Sequence, residues 1–212
     1  MEMTSTAQPL ILEACVETLE DARSAEQRGA NRIELCSALD QDGLTPSAKL
    51  TLQCVEQCSI PIMAMVRPRG GDFIYSDSEI QQMESEIAFF KQAGVAGVVF
   101  GLLTLEGTID IENTRRLAML ASPLEVTFHK AIDYSADIFQ SFRELNAIEG
   151  ITRVLTSGGK DTAWHGRDLL KQMQAMPGRT IQIIAAGKIL PENRSLITEF
   201  TGITELHGQR IV

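Results

Sequence analysis

The sequence has few aromatic residues and little positive charge, and both shortages exclude classes of partner. Aromatic side chains make up 5% of the 212 residues, and 19 Lys and Arg are outnumbered by 28 Asp and Glu. The resulting net charge of −9 opposes binding to other polyanions, such as nucleic acids and anionic membrane surfaces. Basic runs with interleaved aromatic residues are also missing. We therefore expect no nucleic acid among the partners.

Long apolar runs and paired cysteine motifs are missing as well. No apolar stretch approaches the roughly 20 residues that span a bilayer, so we expect no membrane partner. Residues 1–9 carry neither a basic segment nor an apolar core, which argues against a signal peptide. Four cysteines without CxxC spacing do not suggest a disulfide framework in a chain of this size. We therefore expect a cytoplasmic protein with reduced thiols.

The sequence does contain a repeated unit of a short apolar run, a turn and an amphipathic run. The apolar runs predict eight strands, at 10–15, 31–36, 61–67, 96–100, 124–127, 152–156, 181–185 and 203–206. Helices between them, at roughly 25 residues per unit, indicate a parallel sheet. The length and the 44% hydrophobic content favour one domain spanning residues 1–212.

Three helix starts carry local signals. Thr45 followed by Pro46 predicts the start of the second helix. Ser76 with Glu79 three residues later is the signature of a capping box. Pro191 predicts the first residue of a short helix after the seventh strand, and a longer helix is expected over about 161–176.

Polar residues at alternate strand positions favour a closed barrel over an open sheet. In the second strand, Arg32, Glu34 and Cys36 share one face, and the complementary positions are apolar. An open sheet covered by helices should be apolar on both faces, whereas the inner face of a barrel can hold a polar network. We predict a compact TIM-type (β/α)8 barrel. Its last helix should be short or missing, because few residues follow the eighth strand.

The C-terminal ends of the strands carry the site in such barrels, and the third strand ends in two arginines. Arg67 and Arg69 could clamp an anionic ligand by bidentate hydrogen bonds. Alternatively, Arg67 pairs inside the barrel with Glu34 or Glu13.

The fifth strand ends in His129, Lys130 and Asp133. His129 suits general acid–base catalysis, Lys130 suits a Schiff base, and Asp133 could orient either side chain. These catalytic roles apply only if the protein is an enzyme. A structural hydrogen-bonded network is the alternative.

Small residues follow the sixth and seventh strands. Ser157, Gly158 and Gly187 lie ahead of predicted helix starts and could form a phosphate cradle, although ordinary turns are the favoured explanation. His207 ends the eighth strand and joins Glu34 as a candidate for ligand binding.

Two cysteines end neighbouring strands on the same face. The sulfurs of Cys15 and Cys36 could lie close enough to share a soft metal such as Cu(I). The alternative is that both thiols are buried as small apolar groups.

Beyond these patterns, the sequence resembles the CutC family, which is named for copper homeostasis. The resemblance runs almost end to end, in the blocks 29–36 (GANRIELC), 43–47 (GLTPS), 67–76 (RPRGGDFIYS), 127–131 (TFHKA) and 153–159 (RVLTSGG). It implies a TIM barrel, a cytoplasmic location, self-association as a dimer, and Cu(I) binding at Cys15 and Cys36. Lys130 stands where arginine is common in the family, which keeps the charge but loses the planar fork.

Three hypotheses follow from this reading, and the third is a scaffold barrel whose polar interior is purely structural. The first is a copper-binding homeostasis protein that is not a catalyst. The second is an enzyme acting on a small anionic or phosphorylated metabolite, in which Arg67 and Arg69 hold the anion and His129 moves protons.

Overall fold

The computed structural model describes residues 9–212, so the expectations about residues 1–8 lie outside the described residues. Eight parallel strands close into a barrel in sequence order, with the first strand paired to the eighth. The strands are β1 (Ile11–Val16), β2 (Arg32–Leu35), β3 (Ile62–Met65), β4 (Gly97–Phe100), β5 (Glu125–Phe128), β6 (Arg153–Thr156), β7 (Gln182–Ala185) and β8 (Glu205–Gly208). This confirms the TIM-type barrel.

Seven α-helices connect the strands on the outside. They are α1 (Leu19–Gln27), α2 (Ala48–Gln57), α3 (Asp77–Ala93), α4 (Ile111–Ala121), α5 (Ile138–Asn146), α6 (Arg167–Gln174) and α7 (Arg194–Thr201). Within the described range, no helix follows β8, as expected. None of the helices in residues 9–212 combines the length and the apolar character needed to cross a lipid bilayer.

The helix starts confirm one sequence signal and correct three others. Ser76 and Glu79 form both hydrogen bonds of the capping box at α3. By contrast, α2 begins at Ala48, where Ser47 accepts a hydrogen bond from the N–H of Leu50. Thr45 does not cap α2, because its hydroxyl oxygen accepts the backbone N–H of Arg67.

The last two helices begin later than the sequence suggests. Helix α7 begins at Arg194 rather than Pro191. Helix α6 begins at Arg167 because residues 161–166 form turns that pack on neighbouring strand ends. In those turns, Ala163 N–H donates to the carbonyl of Gly187 at 2.9 Å.

The strand faces explain why a chain with so many inward charges still has a core. Ile33, Val98, Phe100 and Phe128 point outward and are completely buried beneath the helices, as parallel strands require. The inner face carries the polar set.

The N-terminal half of the barrel interior holds an ion-pair network that we call the floor, made up of Glu13, Arg32, Glu125, Arg153 and Glu205. Arg32 pairs with Glu13, and its Nη2 lies 2.7 Å from Glu205 Oε2. Arg153 Nε lies 3.1 Å from the same Glu205 oxygen, and its Nη1 lies 2.5 Å from Glu125 Oε2. Each floor arginine is therefore neutralised by carboxylates, as buried charges require.

Candidate functional site at the barrel mouth

A cavity of about 590 Å³ opens at the C-terminal ends of the strands, within the size range of small-molecule sites. Of the residues predicted from sequence, the cavity is lined by Cys15, Glu34, Arg67, His129, Lys130, Gly187 and His207. The remaining candidates do not line it, namely Cys36, Arg69, Asp133, Ser157 and Gly158.

The two predicted metal ligands lie side by side. Cys15 Sγ and Cys36 Sγ are 3.9 Å apart, and Cys36 Sγ lies 3.6 Å from Glu34 Oε2. Strands β1 and β2 align Cys15 with Glu34, so Cys36 follows just past the strand end. Cys15, Cys36 and Glu34 are close enough together to hold one metal ion.

Both thiols are held in their protonated form near neutral pH. The hydrogen bond with Cys36 and burial raise the pKa of Cys15 well above its ordinary value. A hydrogen bond from Cys15 lowers the pKa of Cys36, but burial and the nearby Glu34 outweigh it and raise that pKa to about 11. A metal ion must therefore displace protons to bind here.

His207 links the thiol pair to the floor. Its Nδ1 lies 2.9 Å from Glu13 Oε1, and its Nε2 lies 3.6 Å from Glu34 Oε2. Burial alone would lower the pKa of His207, but the charge of Glu34 and hydrogen bonds with Cys15 and Glu13 raise it well above the ordinary value. Burial also raises the pKa of Glu13, but Arg32 and His207 lower it to about 2. Glu13 and His207 thus form an ion pair.

Arg67 is buried, with 3% of its surface exposed. Its Nη1 donates to the carbonyls of Gln41 and Gly43 at 3.0 and 3.3 Å, and its Nη2 donates to the carbonyl of Gly71 at 3.1 Å. Its guanidinium lies over the ring of Phe73, 4.8 Å from the ring centre. The expected alternative of a pair with Glu34 or Glu13 is wrong, because Glu13 pairs with Arg32 and His207.

Arg69 points away from the cavity and does not form a clamp with Arg67. Its guanidinium lies 2.5 Å from Glu79 Oε1 and 2.9 Å from Asp72 Oδ1, and it also donates to the carbonyl of Ile74. Strand β3 ends at Met65, so the alternation of strand residues no longer governs where Arg69 points.

His129 lines the cavity as a neutral ring. Its Nδ1 accepts the N–H of Ala131 at 3.2 Å, so the ring proton sits on Nε2. Burial and the charge of Arg67 lower the pKa of His129 to about 3. The Nε2 atom has no hydrogen-bond partner among residues 9–212. This histidine is therefore a hydrogen-bond donor rather than a proton carrier at neutral pH.

Asp133 fills the turn that was predicted as a phosphate cradle. Its carboxylate accepts the N–H groups of Ser157 and Gly159, each at 2.9 Å, and the hydroxyl of Thr156 at 2.5 Å. The N–H of Gly158 is taken by the Thr156 hydroxyl oxygen. The N–H groups of residues 157–159 therefore already have partners and are not free to hold a phosphate.

Among the partners that Asp133 has in residues 9–212, His129 is not one, so Asp133 does not orient the His129 ring. Asp133 has a charged neighbour in Lys130, whose Nζ lies 3.7 Å from Asp133 Oδ2. The Lys130 side chain is 40% exposed, so it lies at the rim of the cavity rather than in a desolvated pocket that would activate a Schiff-base lysine.

Phe73 and Gly101 also shape the site. Phe73 packs against both Arg67 and His129, with 5.1 Å between the Phe73 and His129 ring centres. Gly101 makes room for His129, because a Cβ at this position would lie 2.4 Å from His129 Nδ1. The only sequence signal that pointed to Phe73 was its position in the 67–76 block of the family resemblance.

The family is established by comparison with known sequences. The sequence model of the CutC family matches residues 10–212. The chain belongs to the CutC family. A human relative named copper homeostasis protein cutC homolog is 43% identical over 202 residues, which cover 95% of this chain and 73% of the relative. A CutC protein from Pasteurella multocida (strain Pm70) is 40% identical over 196 residues, covering 92% of this chain and 80% of the relative.

Solved structures agree with this membership. The crystal structure of CutC from Streptococcus agalactiae is 30% identical, with a TM-score of 0.89, and the match covers 96% of this CutC chain and 100% of that one. A phosphonopyruvate hydrolase structure is 15% identical with a TM-score of 0.69, covering 95% of this chain and 76% of that one. That second likeness shows the shared barrel fold alone.

Proposed function

We propose that this CutC-family chain takes part in copper homeostasis by binding Cu(I) through the thiolates of Cys15 and Cys36. The observation that carries the proposal is the 3.9 Å separation of two buried sulfurs at the barrel mouth. Support also comes from the human and mouse relatives, which are named copper homeostasis proteins.

The chemistry of the pair suits a soft monovalent ion. Thiolates favour Cu(I) over harder metals, and Met63 and Met65 pack against the two cysteines in an apolar cluster. Cys15 lines the cavity, which gives the ion a route from solvent. The bound Cu(I) ion would also interact favourably with the carboxylate of Glu34, which is buried beside Cys36.

Copper binding should depend on pH. Both thiols have raised pKa values, so two protons leave as the ion binds, and affinity should rise with pH.

The test is anaerobic Cu(I) binding in competition with a chelator. We expect one ion per chain in the wild type and loss of that binding in Cys15→Ser/Cys36→Ser. Cys58→Ser is the matched control, because Cys58 lies just after α2, outside the cavity. Stoichiometric binding that survives in the double variant would contradict the proposal.

A dimeric state and a cytoplasmic location are part of this proposal and rest on the family resemblance. Sedimentation equilibrium of the purified chain tests the first, and fractionation of cells expressing a tagged copy tests the second. A monomer at tens of micromolar protein would contradict the dimer.

A further inference from the structure

Arg67 is a buried cation without a counter-ion. Among residues 9–212, no carboxylate lies within ion-pair distance of its guanidinium. The hydrogen bonds of Nη1 and Nη2 go to backbone carbonyls, which leave the charge uncompensated, and the buried Nε has no partner among the described residues. Buried charges are normally paired, so this unpaired guanidinium points to an anion from outside the chain.

A second unused donor lines the same cavity. His129 Nε2 is buried and has no partner within the described residues, although most buried polar atoms of proteins have one. Because Nδ1 accepts the Ala131 N–H, Nε2 carries a hydrogen and needs an acceptor. Arg67 and His129 pack against the same ring, that of Phe73, and line one cavity.

Both groups are held before any ligand arrives. Three carbonyls fix the Arg67 guanidinium, and the Ala131 N–H fixes the His129 ring. Groups that need no reordering bind a ligand at a lower entropic cost.

The lining of the cavity selects the class of anion. Apart from His207, whose charge is paired with Glu13, four basic residues and three acidic ones face it, namely Arg67, Lys130, Lys188 and Arg210 against Glu34, Asp42 and Asp161. This near balance suits a monoanion. Apolar walls come from Phe73, Leu155, Ile189 and Leu190, and Asp133 occupies the N–H groups of Ser157 and Gly159, which leaves fewer backbone donors for a phosphate.

We infer that the cavity binds a small organic carboxylate with an apolar body, which pairs with Arg67 and accepts a hydrogen bond from His129 Nε2. The carboxylate neutralises the buried guanidinium, and the apolar body lies against the Phe73 side of the cavity. This inference does not rest on Cu(I) binding.

The test uses benzoate and hexanoate as probes, with benzamide, hexanamide and inorganic phosphate for comparison. Binding is measured by calorimetry and by the ¹⁵N shift of the His129 ring, assigned with the His129→Phe variant. Arg67→Gln removes the cation, and Arg69→Gln is the matched control, since Arg69 lies outside the cavity. Thermal unfolding checks that each variant folds.

We expect saturable binding of at least one carboxylate, a shift of the His129 Nε2 signal, and weaker or no binding of the amides and phosphate. Arg67→Gln should weaken binding by at least about tenfold, as expected for one charge-assisted hydrogen bond, and Arg69→Gln should not. His129→Phe should weaken binding less. The inference is overturned if neither carboxylate binds, if the amides or phosphate bind as well, or if Arg67→Gln binds normally. If Arg67→Gln does not fold, two other results decide whether the inference holds. They are the loss of carboxylate binding in His129→Phe and the shift of the His129 Nε2 signal in the wild type.

Discussion

Two arginines are buried in this barrel, Arg32 on β2 and Arg67 just after β3. Only Arg32 has carboxylate partners. Arg32 and Arg153 share three carboxylates on the floor, so that region is internally neutralised. At the mouth, Arg67 has only carbonyls and His129 has an unused donor. The difference separates charge that holds the barrel together from charge that is available to a ligand.

The largest effect should come from breaking the floor. Arg32→Ala removes the cation shared by the buried Glu13 and the half-buried Glu205, which keep only His207 and Arg153 as partners. We expect a loss of about 3–5 kcal/mol in the free energy of unfolding. Urea unfolding followed by circular dichroism measures it. Arg67→Gln removes hydrogen bonds but strands no carboxylate, and should cost about 1–3 kcal/mol. Equal losses in the two variants would contradict the distinction between floor and mouth.

A steric change at the mouth should cost less than Arg32→Ala. Gly101→Ala puts a Cβ 2.4 Å from His129 Nδ1, so the ring must move, at about 1–3 kcal/mol. Gly70→Ala is the control, because its Cβ would meet only the flexible end of Gln41 at 3.1 Å. Chemical denaturation gives both values. A Gly101→Ala protein as stable as the control would show that His129 is loosely held.

The pH dependence of stability should test the comparison between floor and mouth through His129. Its folded-state pKa of about 3 lies below the ordinary 6.5, so between these values the unfolded chain takes up a proton that the folded chain does not. Stability should therefore fall as the pH falls through this window, by on the order of 1–2 kcal/mol at about pH 5–5.5.

His129→Gln should flatten the plot of stability against pH between about pH 3 and 6.5. The loss of stability at low pH due to Glu13, whose pKa is lowered to about 2, should remain in both proteins. NMR titration of the imidazole gives the direct measurement. A His129 ring that becomes charged near pH 6.5 would be incompatible with its assignment as a neutral donor.

The smallest effect should come from the exposed pair beside the mouth. Arg69 and Asp72 are 2.9 Å apart, and the Asp72 side chain is 63% exposed. Asp72→Asn should change the free energy of unfolding by no more than about 0.5 kcal/mol, because water screens such pairs. A loss above 2 kcal/mol in thermal or urea unfolding would mean that this loop supports the mouth.

The fold was predictable because strand geometry repeats. Inward positions alternate strictly along a strand, so Arg32, Glu34 and Glu205 could be placed inside the barrel from their parity alone. The same rule brought Cys15 and Cys36 to neighbouring strand ends. The helix starts at Ala48 and Arg167 were missed because tertiary contacts engage Thr45 and residues 161–166.

The site was predictable only as far as the strands extend. Arg69 lies in a loop and Asp133 in a short 3-10 helix (Lys130–Tyr134), so the alternation of strand residues does not fix the direction of either side chain. Each side chain contacts partners that no sequence pattern indicates. The neutral state of His129 depends on burial and on the charge of Arg67, which exist only once the barrel is assembled.

The pairing of β1 with β8 also imposes an order on folding during synthesis. Glu13 leaves the ribosome early, but His207, its partner at 2.9 Å, follows 194 residues later. Until then β1 keeps an unpaired edge, and a carboxylate destined for the interior stays hydrated. Closing so long a loop is entropically costly and slow. The barrel therefore gains its last strand and its complete inner charge network in one late step.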